Sequence, residues 1–404
     1  MNILVVLDEP HIGMVSGWPT RYIGIISQLY KKHKLSIFAP GDTTLLKSVF
    51  PDADVCASTS IDNVVTSRFS LGKYIFSFFF PDRNNIFFNG FQYYPEFDNL
   101  LHSQHKRRYD VVFYSGMKSY NYYYYHNFDN APVICDFCDS GLRHLLTYLN
   151  NEKNLKKRIT TYSDIAYLYR VKRKIVKHDV NILAATDKDA FYIKKILKKN
   201  RVFAVVNGIE TDKITFDENY CLTKWKSRKI LFCGSLDYEP NIITIRYILE
   251  ELWIPLKDVC PDIELEIVGR NLSKDFADFI AQFKDVLVFA DVPDVFKYYK
   301  AAKLVLSPLF SGSGIKNKIL EALSTATPIV TNSEGATGIE LETEKHGYVM
   351  ENKNDFIRTA EKILKSDFDQ YKMWCENCYS LSKEYSWDRI GEKLEDIIET
   401  KLAK

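Results

Sequence analysis

The residues with the clearest chemical potential lie in one stretch, Ser307 to Glu340, which reads SPLFSGSGIKNKILEALSTATPIVTNSEGATGIE. The glycines of its Ser311–Gly314 loop let backbone N–H groups come close to a ligand, because glycine tolerates unusual dihedrals and carries no side chain. The pattern predicts a helix from about residue 315 to residue 326. The exposed N–H groups and the dipole at the start of a helix favour an anion.

Three charged side chains make the prediction of an anion site more specific. Lys316 and Lys318 put positive charge at a helix start, which is unfavourable unless an anion binds there. Glu321 follows them, and a carboxylate suits sugar hydroxyls rather than phosphates. The combination predicts a nucleotide, although an ordinary strand–helix turn with solvated lysines fits the loop equally well. The phosphate loop G-x-x-x-x-G-K-[ST] is absent from this stretch.

The same stretch resembles the donor-site motif of the retaining glycosyltransferases of GT-B fold, a large family known as glycosyl transferases group 1 (family 4-like). Many members read G-S-G-I-K-N-K-x-L-E-A-x-A-x-G-x-P-V-V here. The fuller family pattern is a glutamate, seven residues, and a second glutamate; Glu321 is the second, and Ser313 takes the first place, as in one branch of the family. By this resemblance, the donor-binding residues of the motif are Ser313, Gly314, Ile315, Lys316, Lys318 and Glu321.

Short apolar runs alternate with helical patterns along the whole chain, which predicts parallel sheets covered on both faces. The runs form two series, separated at Asn207-Gly208. The predicted fold is therefore α/β, with two doubly wound Rossmann-like domains facing each other across a cleft (GT-B). We expect an acceptor-binding domain over 1–206, a nucleotide-sugar-binding domain over 207–385, and a final helix over 386–404 that crosses back. The runs are 3–7, 35–38, 111–114, 133–135, 182–185, 202–206, 230–233, 265–268, 286–289, 304–306 and 329–331.

A loop with glycines follows the first predicted strand. In the family this loop approaches the donor and often ends in G-G-x-x-x-R. Gly17 and Arg21 fit that spacing, with Ser16 in place of the first glycine. The resemblance implies a donor contact at Gly17, and an ordinary strand–helix loop is the alternative.

Two acids stand at the carboxyl end of the predicted strand 132–135. Asp136 and Asp139 could form an acceptor-binding pair or supply a general base, so both are candidate catalytic residues. Asp139 with Ser140 could equally cap the next helix. The family carries a comparable D-x-x-D-S segment at this place, which favours the functional interpretation.

The first turn of the second domain resembles the family's F-x-G-S-x-x-x-x-x-N motif, so Gly234 and Ser235 are candidates to contact the donor phosphates. Many members carry an arginine at the Ser235 position and a lysine at the Pro240 position, which clamp the diphosphate; both are absent here. Val292 lies where the family holds the nucleotide base through backbone groups. The cations that could replace the clamp are Lys316, Lys318 and Arg270.

Composition excludes several other classes of protein. The net charge of +2 gives no general attraction to nucleic acid, and no apolar run approaches the ~18 residues of a membrane span. The start, MNILVVLDEP, reads as a buried strand and not as a signal peptide.

The basic segment 151–178 has helical apolar spacing, so it either packs on the domain or touches an anionic membrane surface.

The cysteines give two pairs with metal-like spacing, Cys135 with Cys138 and Cys375 with Cys378. A zinc site needs both pairs on knuckle turns, whereas the first pair ends a strand-like run and the second lies in a helical pattern. We expect reduced thiols in a cytoplasmic protein, with neither a metal nor a cofactor.

The sequence as a whole predicts a glycosyltransferase, of hexosyl type and, by the resemblance, retaining. It would move a sugar from a nucleotide diphosphate sugar to a saccharide or lipid-linked acceptor, in the synthesis of surface polysaccharide or glycoconjugate. Two alternatives stay open: a nucleotide-sugar epimerase or hydrolase of the same fold, and a non-catalytic partner subunit. The protein would lie in the cytoplasm, with a peripheral contact at the inner membrane face left open.

Overall fold

The structure is a computed structural model of the 404-residue chain. It describes residues 1–7, 17–58, 95–116, 131–138, 180–197, 201–311 and 314–401, together with positions 126, 128, 145–146, 149, 154–155, 158–159, 161–162 and 165. By its internal contacts the chain divides into two compact units. Met1–Val206 and Gly391–Lys404 form the first unit, and Asn207–Ile390 form the second.

The first unit is built on a parallel sheet with helices beside it. Its elements, in chain order, are β1 (Asn2–Leu7), α1 (Gly17–Lys32), β2 (Lys34–Pro40), α2 (Thr44–Val49), β3 (Asp54–Ser58), α3 (Pro95–Ser103) with a 3-10 turn (Gln104–Lys106), β4 (Val111–Ser115), β5 (Val133–Asp136), β6 (Val180–Ala184), α4 (Asp187–Leu197) and β7 (Val202–Ala204).

The described part of this sheet has seven strands in the order β3-β2-β1-β4-β5-β6-β7. All its pairings are parallel, and β1 lies between β2 and β4, with Val5 opposite both Ile37 and Phe113. The strands in its middle are buried along their length because both faces are covered. The order reverses at β1, so the crevice that binds ligands in such sheets lies between β1 and β4.

The second unit contains a second sheet of the same kind. Its elements are α5 (Glu218–Lys226), β8 (Lys229–Cys233), α6 (Glu239–Tyr247), a π-helical turn (Ile248–Trp253), α7 (Ile254–Val259), β9 (Glu264–Gly269), α8 (Lys274–Ile280), β10 (Val286–Ala290), α9 (Phe296–Ala301), β11 (Leu304–Ser307), α10 (Asn317–Ser324), β12 (Ile329–Thr331), β13 (Gly347–Val349), α11 (Lys353–Leu364), α12 (Phe368–Glu384) and α13 (Trp387–Lys401).

The described residues of this unit form a sheet of six parallel strands in the order β10-β9-β8-β11-β12-β13, and the order reverses between β8 and β11. One apolar core covers it, formed by the strands together with the inner faces of α11 and α12. Local sequence sets where several helices begin, since capping side chains accept backbone N–H groups of the first turn. These caps are Asp217, Ser273, Asn352 and Asp367.

The last helix, α13, belongs to the second unit at its start and to the first from Gly391 onwards. In the first unit it packs on α1, where His33 Nε2 lies 3.0 Å from both carboxylate oxygens of Glu395. A Cβ on Gly391 would lie 2.7 Å from the Gln28 side chain. Glycine therefore allows the two helices to approach closely at this point.

The predicted doubly wound α/β fold is confirmed, since each apolar run became a strand of one of the two parallel sheets. The apolar runs did not predict two further strands, β3 and β13. Both lie at sheet edges; β3 is largely exposed or half-buried and β13 has only three residues, so neither shows a long apolar run. Among the described residues no helix is long and apolar enough to cross a membrane.

Candidate functional site

The best candidate site lies in the second unit, where the strand order of the sheet reverses. β8 and β11 are neighbours there, with Ile230 opposite Leu304 and Leu231 opposite Val305. Ligands of open α/β sheets bind beyond the carboxyl ends of such strands. The Gly234 turn follows β8, and the glycine loop that leads into α10 follows β11. The fold therefore brings the two glycine segments found in the sequence to one edge of one sheet.

Lys318 is the central cation of this edge. Its ammonium donates a hydrogen bond to Asn241 Oδ1 at 2.8 Å and lies 4.3 Å from the centre of the Phe232 ring. Burial, with a smaller contribution from the charge of Lys316, lowers the pKa of Lys318 to about 8, although Cys233 and the Glu321 carboxylate act in the opposite direction. An ammonium has three N–H groups, and the amide takes one of them. Lys318 is thus a largely desolvated cation that is held by neutral groups.

Glu321 lies one turn further along α10. Its Oε2 accepts a hydrogen bond of 2.7 Å from the hydroxyl of Tyr299, a fully buried residue of α9. Burial raises the pKa of Glu321, while the Tyr299 hydrogen bond and the Lys318 charge lower it. Lys318 and Glu321 form no ion pair with each other. The two charges therefore stand side by side, each fixed by a neutral partner.

The backbone around Gly234 is packed too tightly for side chains. A Cβ on Gly269 would lie 1.9 Å from the Gly234 carbonyl oxygen, and a Cβ on Gly234 itself would lie 2.7 Å from Asn241 and 2.9 Å from Lys318 Nζ. Asn241 also donates to the Ser235 carbonyl at 2.9 Å. Glycine at both positions lets the β8 turn lie directly against the Lys318 ammonium.

The loop before α10 is described from Gly314 onwards, so Ser313 lies outside the described residues. Gly314 has φ of +67°, a left-handed conformation that favours glycine. Ile315 is buried. Lys316 donates to the Gly314 carbonyl at 3.2 Å and lies 3.5 Å from Glu334 Oε1. The predicted helix is shorter than expected, because it begins at Asn317 and ends at Ser324.

The remaining predicted donor residues lie at the carboxyl ends of β8, β9 and β10. Ser235 donates its hydroxyl to Asp237 at 2.8 Å, and this bond, with the Asn271 amide and the Arg270 charge, lowers the pKa of Asp237. Arg270 and Val292 are half-buried residues just after β9 and β10. A serine that is already paired with a carboxylate does not replace the positive charge of a diphosphate clamp.

In the first unit, Asp136 ends β5 and is fully buried. Both its oxygens accept hydrogen bonds of 2.8 Å from Arg21 in α1, and Oδ1 also accepts from the Cys138 N–H at 3.1 Å. Arg21 donates further to the Val205 carbonyl at 2.7 Å. This geometry favours a role for Asp136 in holding Arg21 over a role as general base. Gly17 begins α1, and Asp139 lies outside the described residues.

Two site residues were not among those that we selected from the sequence. Asn241 closes the turn motif after β8, and its spacing from Gly234 was a usable signal. Tyr299 sits in the unremarkable helix FKYYKA, and its contact with Glu321 spans 22 residues, so no local pattern indicated it.

Comparison with known proteins adds independent information. Residues 227–366 match the family model of the glycosyl transferases group 1. No curated protein matches the chain. Three solved structures are similar over nearly the whole length: Alr3699/HepE of Anabaena in complex with UDP (13% identity, 99% of this chain and 100% of that one, TM-score 0.66), a mutant of TarM of S. aureus with Fondaparinux, alpha-GlcNAc-glycerol and UDP (13%, 99% and 100%, 0.66), and WaaG, a glycosyltransferase involved in lipopolysaccharide biosynthesis (14%, 99% and 100%, 0.63). These likenesses show that the fold is GT-B.

Proposed function

We propose, from the match of residues 227–366 to the family model of the glycosyl transferases group 1, that this chain transfers a sugar from a nucleotide diphosphate sugar to an acceptor. The second unit binds the donor. The observation that carries the proposal is the pair formed by Lys318 and Glu321, a cation and a carboxylate that lie one helical turn apart at the reversal point of the sheet without a direct ion pair.

The donor's diphosphate takes the place beside Lys318. The ammonium has already lost most of its hydration, which its lowered pKa reflects. A bound anion compensates the ammonium for the hydration that it lost on burial. The start of the eight-residue helix α10 adds its N–H groups and dipole. Gly234 and Gly314 let backbone approach the phosphates. We keep Ser235, Arg270, Val292, Ser313, Ile315 and Lys316 as further proposed contacts.

Glu321 binds the hydroxyls of the nucleotide's ribose. Its Oε2 is occupied by Tyr299, and its other oxygen has no partner in the described residues. A hydrogen bond to a charged group contributes about 1.5–3 kcal/mol when its partner is well placed. The distance of one helical turn between Lys318 and Glu321 suits the distance between a ribose and its diphosphate.

Catalysis rests on positioning and on stabilising the charge of the leaving diphosphate. The transfer breaks the bond between the sugar and the diphosphate and forms a bond to an acceptor hydroxyl, whose proton is released. We propose retention of configuration and a hexosyl donor, following the family. The assignments of Gly17 to the donor and of Asp139 to the acceptor or its proton remain predictions.

The first unit binds the acceptor in this proposal, and the acceptor is a saccharide or a lipid-linked saccharide of a surface polysaccharide or glycoconjugate. The similarity to WaaG, which takes part in lipopolysaccharide biosynthesis, supports this class of acceptor. We place the protein in the cytoplasm, in accord with its eight free thiols, with the segment 151–178 as the candidate for a contact with the inner membrane face.

The test is nucleotide binding, measured by thermal shift with UDP, GDP, CMP and dTDP. A nucleotide at 100 times its Kd stabilises the folded protein by about 2.7 kcal/mol. We expect one base to give such a shift, and we expect Glu321→Ala and Lys318→Ala to lose it. Lys353→Ala, which changes an exposed lysine of α11, is the matched control and should keep it.

Absence of a shift with all four nucleotides would refute the donor site and favour the non-catalytic partner subunit. If a nucleotide binds, incubation with the corresponding nucleotide sugar alone separates the remaining alternatives. Rapid turnover of the donor without an acceptor would indicate an epimerase or hydrolase instead of a transferase.

A further inference from the structure

A buried lysine behind the donor site joins three segments of the second unit. Lys224 lies in α5 and is 1% exposed. Its ammonium donates to the Tyr299 carbonyl at 2.7 Å, to the Lys300 carbonyl at 3.3 Å and to Thr327 Oγ1 at 2.8 Å. Lys224 therefore ties α9 and the segment after α10 to α5.

Hydrogen bonds connect both of these segments to Glu321. Tyr299, whose carbonyl accepts from Lys224, donates its own hydroxyl to the Glu321 carboxylate. On the other side, Thr327 Oγ1 lies 3.0 Å from Thr325 Oγ1, which donates to the Glu321 carbonyl at 2.9 Å. The hydrogen bonds close a ring that runs from Lys224 through Tyr299, Glu321, Thr325 and Thr327 and back to Lys224. We call it the Lys224 ring.

We propose that Lys224 is a positioning residue of the ribose subsite, which acts through Tyr299 and through the backbone at the end of α10 to fix the Glu321 carboxylate. The proposal deepens the proposed function and rests on it, because it takes Glu321 to be the ribose ligand. Neither Lys224 nor its place in α5 belongs to the glycine loops in which the sequence located the site.

The energetics favour a specific role over simple space filling. Burial of an ammonium is costly, and it lowers the pKa of Lys224 to about 7, although the nearby thiols of Cys375, Cys378 and Cys221 act in the opposite direction. An apolar side chain of similar length would fill the same space without this cost. What it would lose is the set of three directed N–H bonds, one each to the Tyr299 carbonyl, the Lys300 carbonyl and the Thr327 hydroxyl, which hold these groups in place.

The experiment uses isothermal titration calorimetry to compare UDP, or another of the four nucleotides if the thermal shift selects it instead, with its 2′,3′-dideoxy analogue, since the two differ only in the ribose hydroxyls. In the wild-type protein we expect UDP to bind at least about tenfold more tightly, and Glu321→Ala to remove this preference. Tyr299→Phe and Lys224→Met should each shift the ratio of the two dissociation constants most of the way towards one. Binding of the dideoxy nucleotide should change little.

Two further variants separate positioning from plain stability. Lys303→Met removes another buried lysine of the same unit, whose ammonium donates to the Leu364 carbonyl at 2.9 Å outside the Lys224 ring. This control should retain the wild-type ratio whatever its melting temperature. The double variant Lys224→Met/Glu321→Ala should show the same ratio as Glu321→Ala alone, because both changes act on one interaction.

The outcomes are distinguishable. If none of the four nucleotides binds the wild-type protein, or if the one that binds shows no ribose preference, the proposed function of Glu321 fails and the inference fails with it. If Glu321→Ala removes the preference but Lys224→Met and Tyr299→Phe leave it intact, the proposed function stands and the inference is wrong. Should Lys224→Met fail to fold, Thr327→Val decides, because it removes one hydrogen-bond partner of Lys224 in the ring and leaves the bond between Tyr299 and Glu321 intact.

Discussion

Both units place opposite charges near the carboxyl ends of their strands, yet they satisfy these charges in different ways. In the first unit, Arg21 and Asp136 are fully buried and bind each other through two hydrogen bonds of 2.8 Å. In the second unit, Lys318 and Glu321 follow a glycine loop directly and are held by an amide, an aromatic ring and a phenol. The first pair is a direct ion pair, whereas the charges of the second attract each other without direct hydrogen bonds, which leaves both side chains able to bind a ligand.

A binding site needs charged groups that are buried but not already bound to a group of opposite charge. A cation that is already paired with a carboxylate contributes little free energy to phosphate binding, because the carboxylate offsets its positive charge. A cation that is desolvated next to neutral groups contributes much more, because the protein has oriented it before the ligand arrives. Residue type alone therefore does not identify the site; the partner of each charge does.

Removal of one member of the direct ion pair in the first unit should have the largest effect on stability. Asp136→Ala leaves the Arg21 guanidinium buried without its carboxylate, and loss of one partner of a buried pair costs about 3–5 kcal/mol. We expect a decrease of this size in the free energy of unfolding, measured by urea denaturation. Asp187→Ala, which changes an exposed carboxylate at the start of α4 in the same unit, is the control. A small effect of Asp136→Ala would show that the two pairs do not differ as we describe.

The same operation in the second unit should act in the opposite direction. Lys318→Met removes a cation whose pKa is lowered by burial, so the unliganded protein should gain up to about 1–2 kcal/mol at pH 7. Its affinity for UDP should fall at least about tenfold. Denaturation without ligand and calorimetry with UDP measure the two effects separately. Loss of both stability and affinity would mean that Lys318 is a structural residue.

The pKa of Lys318 also predicts how binding depends on pH. Burial lowers this pKa to about 8 in the free protein, so the ammonium form that attracts a diphosphate disappears as the pH rises through 8. The affinity for UDP should fall about tenfold between pH 7 and pH 9, a range in which the terminal phosphate of UDP, with its pKa of about 6, stays fully charged. Calorimetry across this range tests the prediction. Lys318→Met should show a flat profile, and a flat profile in the wild-type protein would contradict the assignment.

The sequence predicted one half of this comparison better than the other. Lys318 and Glu321 share a single helix next to the glycine loop, so their spacing alone placed them together. Separate motifs indicated Arg21 and Asp136, but the two residues are 115 positions apart and no local pattern predicts that they form a pair. Hence Asp136 was considered a candidate base, although its carboxylate is occupied by a guanidinium.

The residues that position Glu321, directly or through another residue, were the least predictable part of the site. Tyr299 and Lys224 lie in helices whose patterns show only ordinary amphipathic spacing, and their contacts reach across 22 and 75 residues. Strand order was more accessible, because buried parallel strands leave continuous apolar runs. The general rule is that the fold and the charged ligands of the site leave local signals. The residues that hold these charged side chains in place come from distant parts of the chain, so their contacts are visible only in the folded structure.

An exposed ion pair in the second unit provides the smallest expected effect and isolates the contribution of burial. Lys353 Nζ lies 2.6 Å from Glu251 Oε2, a shorter distance than in the Arg21–Asp136 pair, but the two side chains are 43% and 47% exposed. Such pairs contribute about 0.2–1 kcal/mol, and Lys353 begins α11, where a positive charge opposes the helix dipole. Lys353→Ala should therefore change the free energy of unfolding by less than about 0.5 kcal/mol, and less again in 1 M salt. A loss close to that of Asp136→Ala would show that distance, rather than burial and the nature of the partner, governs these charges.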